Sequence, residues 1–126
     1  MKALLRAGFV SVDEIDGALV VGFADRQFDT SAYFMLQRRL NPGDDDGVYL
    51  EHTDQAHGAY ARVSLCAIWR NRIELSVDET AADALEAETT FAVEFSGDRE
   101  LLSRLRKGLE RVFSGTDCRL ELNGDA

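Results

Sequence analysis

The chain has one proline among its 126 residues, at Pro42. It therefore lacks the proline-rich tracts of extended linkers, and it carries no low-complexity segment or repeat at solenoid spacing. Its two cysteines, Cys66 and Cys118, stand far apart with no CxxC pair. That excludes a disulfide framework and a zinc ribbon, and leaves two small apolar side chains in a reducing compartment. Histidine occurs only at His52 and His57. No apolar run reaches membrane-spanning length, and Arg6, Asp13, Glu14 and Asp16 interrupt the N-terminal stretch before any cleavage-like site. A cytoplasmic protein is expected.

Positive charge is the next shortage. Lys and Arg total 14 against 23 Asp and Glu, for a net charge of −9. A surface of that sign repels phosphate backbones and anionic leaflets, so neither nucleic acid nor a membrane is an expected partner. A basic protein is, because complementary potential speeds encounter. What the chain does have is 45% hydrophobic residues in a length suited to a single domain, residues 1–126, with a core that can stand without staples.

That apolar content is arranged mostly with period two, the spacing of half-buried strands. Phe9 to Ile15 reads as a strand turning at Asp16-Gly17. Ala18 to Ala24 is apolar on both faces, which predicts a central strand covered on each side. After a loop from Asp25 to Thr30, Tyr33 to Arg39 makes a third strand and ends at the Asn41-Pro42-Gly43 breaker. The acidic turn Asp44-Asp45-Asp46-Gly47 leads into a strand over Val48 to Asp54. Tyr60 to Trp69 alternates most clearly, and Arg70-Asn71 turns it into a hairpin with Arg72 to Val77, Asn71 supplying the positive φ of a tight turn. Thr90 to Phe95 and the alternation of Cys118, Leu120 and Leu122 complete the strands.

Two segments change period. Asp78 to Leu85 predicts a short helix near 78–86, with Asp78 as N-cap and Ala81, Ala82 and Leu85 turned inward. After Asp98, a second N-cap, Leu101, Leu102, Leu105, Leu109, Val112 and Phe113 form an amphipathic stripe that Gly115 closes as C-cap. Gly108 inside that helix marks close approach to the sheet. The expected fold is α+β and mostly β: one antiparallel sheet of about seven or eight strands, with the C-terminal helix packed on it.

No constellation in the chain supports catalysis or requires a cofactor. Nucleophilic chemistry needs an activated Ser, Cys or Thr beside a base, and there is no Gly-x-Ser-x-Gly elbow. No glycine-rich run joins a strand to a helix N-terminus to hold phosphate. The carboxylates cluster in turns and strand ends, where they stay hydrated, unlike a buried catalytic acid. Aligning Gly47 with the glycine of an EF-hand loop puts Pro42 and Thr53 at ligand positions, which excludes calcium there. A weak alternative is a metal-binding or metal-regulated domain built beside Glu51, with His52, Asp54 and His57 as ligands, although structural zinc wants a fourth. The other alternative is a self-associating structural or regulatory module, a homo-oligomer joined through a sheet edge or face. The cations of the long helix, Arg99, Arg104, Arg106, Lys107 and Arg111, read as a hydrated face.

Gly47-Val48-Tyr49-Leu50-Glu51, then Asp54-Gln55 and Gly58, are followed by Arg70-Asn71-Arg72-Ile73-Glu74-Leu75. With the ending Glu100-Leu101-Leu102 through Gly108-Leu109-Glu110-Arg111-Val112-Phe113, this pattern resembles the immunity protein 10 family of bacterial polymorphic toxin systems. The resemblance implies a small, mostly β antidote without catalytic residues, which binds and neutralises a cognate toxin made by the same cell. On the residues themselves, the contact is expected at the acidic turn and the strand after it: Asp44, Asp45, Asp46, Tyr49, Glu51 and Asp54. Tyr49 and Glu51 share the strand face opposite Val48 and Leu50. An exposed tyrosine ringed by carboxylates combines a rigid anchor with steering charge, the composition of an interface with a basic partner.

Overall fold

The computed structural model describes residues 3–41, 43 and 46–123. The Pro42 breaker, together with Asp44 and Asp45 of the acidic turn, lies outside the described residues. Among the described residues, ten strands form two five-stranded sheets, accompanied by two helices. The second sheet is a plain meander of β2 (Phe9–Ile15), β3 (Ala18–Ala24), β4 (Tyr33–Arg39), β5 (Tyr49–His52) and β6 (Asp54–Tyr60), each antiparallel to the next. The first sheet is mixed. It contains β1 (Ala3–Ala7), β7 (Val63–Ile68), β8 (Arg72–Val77), β9 (Thr90–Phe95) and β10 (Arg119–Leu122), in the order β1-β9-β8-β7-β10. Its two edge strands run parallel to their neighbours, β1 to β9 and β10 to β7.

The α+β, mostly β class holds, but the single antiparallel sheet expected from the alternation does not. Period two reports that one face of a strand is buried; it says nothing about which strand supplies the hydrogen bonds. Here the inward faces of two sheets bury one another, with Phe23 against Phe95 at 5.7 Å and Phe34 against Phe91 at 5.4 Å between ring centres. Two strands escaped the pattern. β1 is interrupted by the outward Arg6, while Leu5 and Ala7 face in. The strand expected over Val48 to Asp54 is in fact a hairpin, because Thr53 adopts a left-handed φ of 65° and reverses the chain into β6. The strand expected from Tyr60 to Trp69 divides at Ala61-Arg62, where the chain leaves one sheet for the other.

A break in register between Val63 and Leu65 then switches the phase of β7, so that Val63, Cys66 and Ile68 all reach the core. The following hairpin closes around Arg70-Asn71, with the Trp69 N–H donating to the Arg72 carbonyl at 2.7 Å. Asn71 is not among the residues with positive φ, contrary to expectation.

Both helices are capped as expected: Asp78 accepts from the Ala81 amide at 2.7 Å and Asp98 from the Leu101 amide at 2.9 Å. Helix α1 (Glu79–Leu85) lies against β5 and β6, and α2 (Arg99–Val112) against β2, β3 and β4. Leu102, Leu105, Leu109 and Val112 bury the apolar face of α2. Gly108 is where the helix meets the sheet most closely: a Cβ there would stand 2.8 Å from Val12 Cγ1. The glycine costs about 1 kcal/mol in helix propensity and permits that contact. α2 ends with Phe113 as C-cap, ahead of Gly115, and Arg38 of β4 donates to the carbonyls of Val112 (2.8 Å) and Ser114. Among the described residues no helix is long and apolar enough to cross a membrane.

Candidate functional site

The outward side of the second sheet can be read directly from its register. Ser11, Gly22, Met35, Glu51 and Gly58 lie in one row across the five strands. Asp13, Val20, Gln37, Tyr49 and Tyr60 lie in the next, and Tyr33 stands at the end of β4 beside Ala24. Their strand neighbours Leu19, Val21, Phe23, Phe34, Leu36 and Leu50 point the other way into the core. β3 is apolar on both sides because its outer side belongs to this face: Val20, Gly22 and Ala24 are half-exposed there and only Ala18 at the strand's start is buried, so the cover expected on each side is complete only on the inner one. All three tyrosines of the chain are on this surface.

Glu51 is at its centre and is 6% exposed, the only buried charged residue among those described. Its carboxylate accepts from both flanking phenols, Tyr33 O–H at Oε2 and Tyr49 O–H at Oε1 (2.6 Å). Tyr49 reaches it by lying across Gly58, where a Cβ would overlap the Tyr49 hydroxyl. Tyr60 packs edge-to-face on Tyr49, with ring centres 5.4 Å apart and planes at 60°. Burial, then the hydrogen bond to Glu51 and its charge, push the Tyr49 phenol up to about 12. The same causes, with Asp54 adding repulsion, raise Tyr33 further. Both phenols are therefore held as neutral donors, an arrangement that fixes side chains rather than moving protons.

The backbone beneath Tyr33 is fixed as well. Thr53 donates its N–H to the Tyr33 carbonyl at 2.9 Å, and its hydroxyl bridges the Tyr33 N–H and carbonyl at 3.3 Å each. A β-branched residue with φ of 65° is strained, and these bonds hold it there.

Of the contact residues expected from the sequence, Tyr49 and Glu51 come together, opposite the buried Val48 and Leu50. Glu51 differs from expectation in one respect: it is turned into the phenols and is no exposed steering charge. Asp46 and Asp54 are exposed. Asp46 lines a groove of about 390 Å³ that runs past Tyr60 to Phe113 and Asp117, and Asp54 caps its own turn by accepting from the Ala56 amide at 2.9 Å. Asp44 and Asp45 fall outside the described residues.

His52 and His57 instead face α1. His52 Nδ1 is 2.7 Å from the Leu85 carbonyl and must carry the proton there, and His57 Nε2 is 3.3 Å from Glu86. The two rings thus serve the C-terminal end of a helix, and no group of three or more His, Cys, Asp or Glu among the described residues is placed to hold a metal ion. The thiols of Cys66 and Cys118 are both free.

The sequence reading missed Tyr33, Tyr60 and Phe28. For the two tyrosines a signal existed: each follows or precedes an inward apolar residue, so both share the outward parity of Tyr49 once β4, β5 and β6 are paired. Phe28 had none beyond being aromatic in a polar loop; it is 76% exposed. That loop is clipped by Asp25, which accepts from the Ser31 hydroxyl at 2.5 Å and from the amides of Arg26, Ser31 and Ala32. Led by the Ser31 bond, these hold the Asp25 carboxyl down at about 2.

A family model described as Immunity protein 10 matches residues 5–103, which include the whole tyrosine face. The match ends inside α2, so the likeness read over Gly108 to Phe113 lies beyond it. No curated protein and no solved structure matches the chain.

Proposed function

The chain belongs to the immunity protein 10 family, and from that membership and its open tyrosine face we propose that it neutralises a cognate toxin by binding it. In this reading the protein is a non-catalytic inhibitor acting in the cytoplasm, and the contact is the outer side of the second sheet. One observation carries it: on a sheet face open to solvent, two half-exposed tyrosines are fixed over a buried carboxylate and an exposed third packs on one of them. Rigid tyrosines lose little freedom on binding and dominate interface energetics. Asp46 and Asp54 remain rim residues of that contact, with Asp13 on the opposite edge strand, and Asp44 and Asp45 stay part of the proposal through the charge of their turn. The net charge of −9 favours a toxin that is basic where it is met.

Co-expression with the toxin encoded by the neighbouring gene should restore growth, and the two proteins should co-elute on size exclusion. Absence of both rescue and complex would sink this reading.

A further inference from the structure

On the outer side of the first sheet, the one tryptophan already carries a cation: the Arg72 guanidinium lies 4.3 Å from the centre of the Trp69 ring. On the second sheet the corresponding partner is missing. Among the described residues no cation lies over Tyr33, Tyr49 or Tyr60, and none pairs with Glu51. A carboxylate buried this deeply is ordinarily met by a positive group. Here two phenols meet it, and a phenol that donates to a carboxylate has a more electron-rich ring, the side on which a cation binds. Tyr49 and Tyr60 pack edge-to-face with centres 5.4 Å apart and planes at 60°, and with Tyr60 57% exposed this corner presents ring surface to solvent on which a planar group can stack. The exposed Asp46 lines the same groove as Tyr60.

We propose that this corner receives an arginine of the toxin, its guanidinium stacked on Tyr49 or Tyr60 with the Glu51 carboxylate held at the Tyr49 hydroxyl. The proposal rests on the toxin-binding reading and adds the chemistry of the group bound. Arginine fits better than lysine because its cation is planar, weakly hydrated and stacks on aromatic faces. Glu51 acts through the tyrosines, as a positioning residue.

The test uses two small probes and the toxin. N-acetylarginine amide and its neutral isostere N-acetylcitrulline amide are titrated into the full chain while the tyrosine ring protons are followed by NMR. The arginine compound should shift the Tyr49 and Tyr60 signals saturably, and the citrulline compound should not. Glu51→Gln keeps the shape and one acceptor oxygen. It should weaken the arginine probe about fivefold and an inactivated toxin about tenfold, with a shallower salt dependence and unchanged circular dichroism. Equal shifts from both probes, or wild-type binding of probe and toxin by Glu51→Gln, overturn the arginine receptor while leaving wild-type toxin binding in place. Should Glu51→Gln not fold, Tyr49→Leu and Tyr60→Leu decide the matter, because undiminished arginine binding in both overturns the proposal equally. Failure of the wild-type chain to form any complex with the toxin overturns the earlier reading instead, whatever the arginine titration shows.

Discussion

The outer faces of the two sheets share one geometry and differ in how their polar atoms are satisfied. On the first sheet the charges answer one another: Arg6 with Glu94 at 2.8 Å, Arg72 with Glu74 at 3.4 Å and Arg119 with Glu121 at 2.9 Å. Ser76 and Thr90 share a hydrogen bond of 3.0 Å, and Arg72 covers Trp69. On such a face charge meets charge, although the buried Arg72 Nε has its carboxylate only at ion-pair distance and no hydrogen-bond acceptor. On the second sheet one carboxylate is buried beneath phenols, glycine replaces a side chain where Tyr49 must pass, and the rings are left partly bare. A surface selected for solubility alone would pair its charge and hide its aromatics; this one orders its aromatics and hides its charge.

The sharpest way to break the contrast is at Gly58. Gly58→Val would push Tyr49 off Glu51 and should cost about 3 kcal/mol in urea unfolding with an unchanged slope, as overpacking with a lost buried bond does. Removing both donors, Tyr33→Phe with Tyr49→Phe, leaves the carboxylate with neither phenol and should cost about 2 kcal/mol by the same measurement.

Alkali gives a smaller effect on the same residues. The phenol of Tyr49 rises from 10.0 to about 12 in the folded protein. The folded state therefore holds its proton longer than the unfolded state does, so this contribution is complete below pH 10 and lost as pH climbs through about 12. Unfolding curves at successive pH values should show that decline in the wild type and lack it in the double phenylalanine variant. The smallest effect belongs to the first sheet: Arg6→Ala should change stability by less than about 0.5 kcal/mol and leave toxin affinity unaltered. A large loss of affinity there would reverse the assignment of the two faces.

How far the sequence could be read follows from what each signal encodes. Caps at Asp78 and Asp98, the β3 limits at Ala18 and Ala24 and the Gly108 contact are local, and local chemistry determines them. The division into two sheets is not local. It depends on the chain crossing at Ala61-Arg62 and on Thr53 taking a left-handed conformation that a β-branched residue rarely adopts. The site shows the same split. Tyr49 and Glu51 could be placed on one face from parity within a single strand, whereas Tyr33 and Tyr60 join them only through pairing with β4 and β6. The double-sided apolarity of β3 was visible, and its meaning, an uncovered outer face, was not.

The two sheets also differ in when they can be completed. The strands that carry the tyrosines are consecutive, from Phe9 to Tyr60, and each pairs with the one made just before it. Short loop closures of this kind are rapid steps. Ala3–Ala7 is made first yet waits for Thr90–Phe95, its parallel neighbour, and β7 gains β10 only after Arg119–Leu122 has been made. Long closures and parallel pairing are slow, so the first sheet is the one expected to set the pace of folding. The tyrosine face can assemble as an early meander, while the layer that seals the core behind it arrives late.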